Sequence, residues 1–178
     1  MTAAPVVQAK NIKIEPKILL IHYTAVATYE DSLKRFESET LPNDRPDIVS
    51  AGALNVSTHF MVERDGTIHQ LMPLDYMGRH VIGLNYNSIG IENVGGEGFI
   101  EDLTVEQLLA NIFLANYLRK KFPTLEYLVG HHEYQCFEKT SLWLEKDDGY
   151  RTIKHDPGNS FMRDLHNNLK GFKKAPCD

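Results

Sequence analysis

Apolar residues recur with two rhythms along this chain. Ile18-Leu19-Leu20-Ile21 is an unbroken apolar run of strand length, which predicts a strand buried on both faces and ending in the polar trio His22-Tyr23-Thr24. Ser57–Arg64 and Thr67–Met72 are β-rich runs separated by Asp65-Gly66. That pair signals a hairpin, because glycine accepts the positive φ of a tight turn. Ser88–Val94 alternates, putting Ile89 and Ile91 on one face and Gly90 and Glu92 on the other, and Tyr127–Gly130 reads as a short strand running extended into His131-His132. Helical spacing appears over Thr28–Ser38, opened by Thr28 and Asp31. A long helix follows the capping box Thr104–Gln107, with Leu108, Leu109, Ile112, Phe113 and Leu118 expected to face the core, and ends near Phe122-Pro123. A last helix carries Phe161, Leu165 and Leu169, with Asn159 placed to cap it and Gly171 to end it. Strands alternating with helices predict an α/β fold, a central mixed β-sheet flanked by helices.

The segments between these elements divide the chain simply. Residues 1–16 are polar and irregular and read as an N-terminal arm over the surface. Residues 17–178 read as one domain, since no repeat, low-complexity tract or linker interrupts them. Leu41–Gly52, with two prolines, reads as a loop, and Tyr134–Arg151 has no clean period and reads as a long connection.

Composition narrows the function classes. With 178 residues, 42% of them hydrophobic, the chain can bury a core of its own. A formal charge of −5 without a basic run argues against a nucleic-acid binder. No apolar stretch approaches a membrane span. Met1–Lys10 has neither a basic nor an apolar region of the kind an intact export signal carries. Cys136 and Cys177 cannot make a disulfide framework or a zinc finger; they read equally as a pair in an oxidising compartment or as free thiols.

The chemistry gathers where strands end. In Lys154-His155-Asp156-Pro157-Gly158 an extended backbone puts Lys154 and Asp156 on one face and His155 on the other, before a turn. Alone, this is a surface ion pair. His22 alone is a satisfied core histidine, and Glu92 is either an edge residue reaching water or a functional acid. His59 reads as structural and His69, near the hairpin turn, as solvated. Together, His22, His131 and Asp156 each stand at a strand end or extended turn, and two imidazoles with one carboxylate form a donor set for a catalytic zinc with a fourth position open.

Five motifs occur in order: His22 after an apolar strand, Ser57-Thr58-His59-Phe60 with Arg64-Asp65-Gly66-Thr67-Ile68, Asn87-Ser88-Ile89-Gly90-Ile91-Glu92, Gly130-His131, and Lys154-His155-Asp156-Pro157-Gly158. This pattern resembles the zinc-dependent N-acetylmuramoyl-L-alanine amidase family, which shares its fold with peptidoglycan-recognition proteins and T7-type lysozyme. The likeness runs from about Ile18 to Leu169. It implies a peptidoglycan-recognition-protein-like fold and one Zn²⁺ per chain held by His22, His131 and Asp156. It implies Glu92 as general base, Lys154 as the cation that steadies the oxyanion, His80 in substrate binding, and His132 outside the ligand set. The implied reaction is hydrolysis of the amide between N-acetylmuramic acid and L-alanine in peptidoglycan or muropeptides. The implied setting is the cell envelope, periplasm or exterior, with the cytoplasm as the alternative. Two other readings remain at this point, a recognition module without catalysis and a zinc amidase acting on other peptides. The chain departs from some relatives: Thr58 stands where they carry tyrosine, and Asp156 where they carry cysteine. The 25 residues from His131 to Asp156 are also a long gap, whose Tyr134, Phe137, Trp143 and Tyr150 read as a lid, a sugar platform or a packed flap.

Overall fold

Strand β1 (Ile18–Tyr23) is buried along its whole length. The cause is its place inside a five-stranded sheet, between β4 (Ser88–Asn93) and β5 (Tyr127–Gly130). Both neighbours run parallel to it, which is why the sequence reads as a continuous apolar run rather than an alternation. β2 (Phe60–Val62) pairs parallel to β4 on the far side, and β3 (Ile68–Gln70) closes the edge antiparallel to β2. The sheet is therefore mixed, in the order β3-β2-β4-β1-β5. The expected hairpin is present: Gly66 takes φ +88° and its N–H donates to the Glu63 carbonyl at 2.9 Å. This computed structural model describes residues 12–40, 54–146 and 149–177, so most of the expected arm and the Leu41–Gly52 loop lie outside the described residues.

Alternation along the strands separates two cores. Leu19, Ile21, Ile89, Ile91 and Leu128 face the helices, packing with Leu114, Leu118, Phe161 and Leu165. Ile18, Leu20 and Val129 face the other way, against Val81, Leu84, Tyr134 and Phe137. Each of these side chains contributes roughly 1.5–3 kcal/mol by leaving water. The aromatics of the long connection thus include core residues: Tyr134 and Phe137 are fully buried, and the Tyr134 hydroxyl donates to the Thr152 carbonyl at 2.8 Å. Ile14, within the expected surface arm, is also a core residue, and its N–H donates to the Asp75 carbonyl.

The helices form where the sequence places them, but two faces differ. α1 (Tyr29–Glu37) starts at Thr28, whose hydroxyl accepts the Asp31 N–H. α2 (Val105–Lys121) has the reciprocal Thr104–Gln107 capping box. Its buried face, however, is Gln107, Ala110, Asn111, Leu114, Ala115 and Leu118, whereas Leu109 and Phe113 are exposed. The helix is apolar on two sides, so a hydrophobic count could not pick the inner one. Polar contacts decide it: Gln107 Nε2 donates to the Val62 and Val94 carbonyls, and Asn111 Nδ2 donates to Asn93 Oδ1 at 2.7 Å. α3 (Asn159–Asn168) lacks the expected asparagine cap. Glu101, from a distant loop, instead accepts the N–H groups of Asn159 and Ser160, a carboxylate at a positive helix end. Gly158 makes room for it, at φ +99° and with a hypothetical Cβ only 2.4 Å from the Glu101 side chain.

Three smaller expectations change as well. The chain after Gly130 turns at once into a 3₁₀ helix, His131–Phe137, rather than staying extended. His69 is held by Glu63 at 2.6 Å and stacks on Tyr29, so it is not simply solvated. The two cysteines are joined as Cys136–Cys177, tying the 3₁₀ helix to the C-terminal segment across 41 residues of sequence. Closing a loop of that length restricts the unfolded chain, so Cys136→Ser should lower unfolding stability by roughly 2–4 kcal/mol. Urea denaturation of the oxidised protein and the variant checks this; coincident midpoints would show that the crosslink contributes nothing.

Candidate metal centre and its groove

The parallel strands β1, β4 and β5 end on one rim of the sheet, where α/β folds gather their functional groups. His22 and Glu92 are register partners near the ends of β1 and β4, so their side chains leave the same face. Gly130 pairs with Ile21, which places His131 one step further along, beside His22. Asp156 arrives on the segment before α3. Its carbonyl accepts both the backbone N–H and the ring Nδ1–H of His132, at 3.0 and 2.9 Å. That double contact turns His132 away from the centre and holds Asp156 against the end of β5. His155 is exposed, with its ring 5.2 Å from that of Phe99.

Three donor atoms converge. His22 Nδ1 lies 2.9 Å from His131 Nδ1, and Asp156 Oδ2 lies 3.1 and 3.0 Å from those two nitrogens. All three residues are buried. Zinc at about 2.0–2.1 Å from such donors spreads them roughly 3.3 Å apart on a tetrahedron, close to what is seen. Two nitrogens and a carboxylate oxygen that face one another this closely need a shared positive charge, which protons alone supply only in part. The donor set therefore fits a zinc ion.

Burial sets the charge states. It pushes His131 down to about 4, with the Asp156 carboxylate opposing, so the imidazole is neutral and its lone pair is available at neutral pH. Burial alone would raise Asp156, yet His131 and His22 outweigh it and hold the carboxyl well below the usual carboxylate range. Glu92 is also buried, with Oε1 4.0 Å from His22 Nδ1. Lys154 is half-buried nearby, and its charge adds to the lowering of His131.

These groups line one groove of about 950 Å³, together with Arg35, Arg79 and Tyr150. That volume is at the upper end of small-molecule sites and suits an extended substrate. His80 borders the groove but is itself buried, with Nδ1 3.0 Å from His22 Nε2. Sequence reading missed Ser88, whose Oγ lies 3.3 Å from His80 Nε2, and Gly90, against which the His80 ring packs. The glycine itself was the available signal, since a glycine inside an apolar strand often marks a close approach.

Comparison with known proteins finds relatives in sequence and in fold. An endolysin of Enterobacteria phage K11 is 35% identical over 86 residues, covering 46% of this chain and 56% of that protein. The endolysin of Escherichia phage T7 is 44% identical over 45 residues, 25% of this chain and 30% of that protein. The matched region is thus little more than half of the first relative and under a third of the second. Among solved structures, human PGRP-IBETAC in complex with glycosamyl muramyl pentapeptide has a similar fold, with TM-score 0.60 at 19% identity over 91% of this chain and 88% of that one. AmiD from E. coli, an N-acetylmuramyl-L-alanine amidase bound to an anhydro-N-acetylmuramic acid peptide, shares the fold with TM-score 0.52 at 22% identity, over 75% of this chain and 55% of that one. The profile described as N-acetylmuramoyl-L-alanine amidase matches residues 13–159, a span that takes in every strand of the sheet and all three converging donors, and the chain belongs to that family.

Proposed function

We propose that this chain is a zinc-dependent hydrolase that cleaves the amide between N-acetylmuramic acid and L-alanine in peptidoglycan or a released muropeptide. The observation that carries the reading is the convergence of His22, His131 and Asp156 beside Glu92 in the lining of one groove, in a member of the amidase family. A bound zinc supplies Lewis-acid polarisation and brings the pKa of water to about 7. The chain's own groups do the rest. His22 and His131 donate neutral imidazoles and Asp156 one negative charge, so the metal keeps net positive charge. Glu92, register-paired with His22, takes the proton of the attacking water and returns it to the leaving L-alanine nitrogen. Lys154 donates to the oxygen that becomes negative when the lactyl carbonyl is attacked, a contribution of roughly 3–4 kcal/mol for one well-placed donor. The groove walls hold the sugar and the stem peptide on either side of that carbonyl.

Mass spectrometry of a muramoyl-tripeptide incubated with zinc-loaded protein, beside a chelator-treated control, tests the reading. Free peptide and free muramic acid that appear only with zinc support it. An intact ligand that binds tightly would instead make the chain a recognition module.

The roles separate by mutation. Asp156→Ala should lose both zinc and turnover. Glu92→Gln should keep zinc while turnover falls by about 10²–10⁴, the usual worth of a general base. Lys154→Met should keep zinc and lower kcat by roughly 10²–10³. Metal content by atomic absorption, beside steady-state kinetics, checks all three; full turnover in Glu92→Gln would remove Glu92 from the mechanism.

A further inference from the structure

Both ring nitrogens of His80 are engaged within the protein, one by His22 and one by Ser88. We propose that His80 is a positioning residue for the metal centre: its Nδ1 accepts the Nε2–H of His22, Ser88 holds its opposite nitrogen, and His22 is thereby left with an unprotonated Nδ1 facing His131 and Asp156. The inference rests on the metal reading above and deepens it.

Hydrogen-bond direction fixes the assignment. The Ser88 hydroxyl donates to the Leu84 carbonyl at 2.9 Å, an oxygen that can only accept. Its lone pairs then face His80 Nε2 at 3.3 Å, so the His80 proton sits on Nε2. His80 Nδ1 is left as an acceptor, 3.0 Å from His22 Nε2, which must carry the proton of that contact. With its proton on Nε2, His22 presents a lone pair at Nδ1, the atom that meets the other two donors. The direction of each hydrogen bond follows from the one before it, starting from a backbone carbonyl.

The surroundings keep this relay in place. His22, His80 and Ser88 are all buried, so water does not compete for the contacts. Each ring nitrogen of His80 meets a single partner inside the protein, His22 on one side and Ser88 on the other. His59 packs edge-on against His80 at 5.9 Å but is committed elsewhere: it bonds the Tyr76 carbonyl through Nε2 and accepts the Gly90 N–H at Nδ1. The backbone N–H groups of His80 and Val81 both donate to Asn85 Oδ1, which fixes the loop that carries the ring. Gly90 supplies the space: a Cβ there would come within 2.8 Å of His80 Nδ1. Partners of this kind on metal-bound histidines fix the tautomer and the ring angle, and losing one costs about 10–100-fold in metal affinity.

The test measures zinc affinity by competition with a chromophoric chelator, with circular dichroism confirming the fold of each variant. His80→Leu, which removes the acceptor, should bind zinc about 10–100-fold more weakly. His80→Asn, whose Oδ1 can take the place of Nδ1, should recover most of that loss. Ser88→Ala should weaken zinc in the same direction by less. Gly90→Ala leaves every group of the relay intact and should also weaken zinc, by displacing the ring; it serves if His80→Leu fails to fold. Unchanged zinc affinity in His80→Leu with a raised KM overturns the proposal and makes His80 a substrate contact. A second readout needs no metal. Ring ¹⁵N shifts of the zinc-free protein should show His80 protonated on Nε2, and protonation on Nδ1 overturns the proposal. If the unmodified protein binds no zinc, the metal reading fails, and the ¹⁵N shifts still decide what His80 does.

Discussion

The parallel register of β1 against β4 is the constraint on which the groove floor depends. It pairs His22 with Glu92 and Leu20 with Gly90, so one face of two adjacent strands offers an imidazole, an acid and a vacancy in sequence. A slip of one residue in either strand would turn one of these side chains to the other face and bring an apolar one to the groove. Such a slip is disfavoured because both faces of the sheet are packed, each against its own core. The helix-side core holds the register partly through polar contacts: Asn93 Nδ2 donates to the His22 carbonyl, and Asn111 on α2 holds Asn93 in turn. The site is accurate because the sheet beneath it has little freedom to move.

Burial of charge is the second organising fact. An ionised carboxylate at Asp156 is costly away from water unless it is compensated, and the two ring nitrogens that close on it mark where the compensating positive charge belongs. Its backbone is secured separately, by His132 through two hydrogen bonds and by the turn into α3 that Glu101 caps. One carboxylate at each end of the Pro157-Gly158 turn thus does a different task, Asp156 facing the centre and Glu101 holding the helix behind it.

Much of this was legible in the sequence, for identifiable reasons. The strands could be read because their apolar runs match the sheet: β1 is continuous since it lies in the interior, and β4 alternates Ile with Gly and Glu because its two faces differ. His22 and His131 could be placed because each ends or directly follows such a run, and Asp156 because a Pro-Gly turn follows it. What was not legible depends on contacts between distant parts of the chain. No local pattern in Asn159 announces that Glu101, 58 residues away, will cap its helix. On α2, Leu118 is buried and Leu108 and Ile112 pack on the core as expected, but Leu109 and Phe113 face outward although they are as apolar, and only the partners of Gln107 and Asn111 reveal which side is covered. The cysteine pair stayed open because the path of the chain, not the spacing, brings Cys136 to Cys177. His80, expected in substrate binding, does line the groove, but the partners of its two nitrogens, His22 and Ser88, are not given by sequence order.

Gly90 gives the plainest view of how tolerance to change is distributed here. It has no side chain to offer, yet a methyl group at that point would meet an imidazole ring that stands behind His22. In a map of permitted substitutions, position 90 would look as restricted as the donors themselves, although its role is purely one of space. Anyone redesigning this groove for another substrate has freedom along the outer walls and almost none in the strand interior, where the feature to preserve is an absence of atoms.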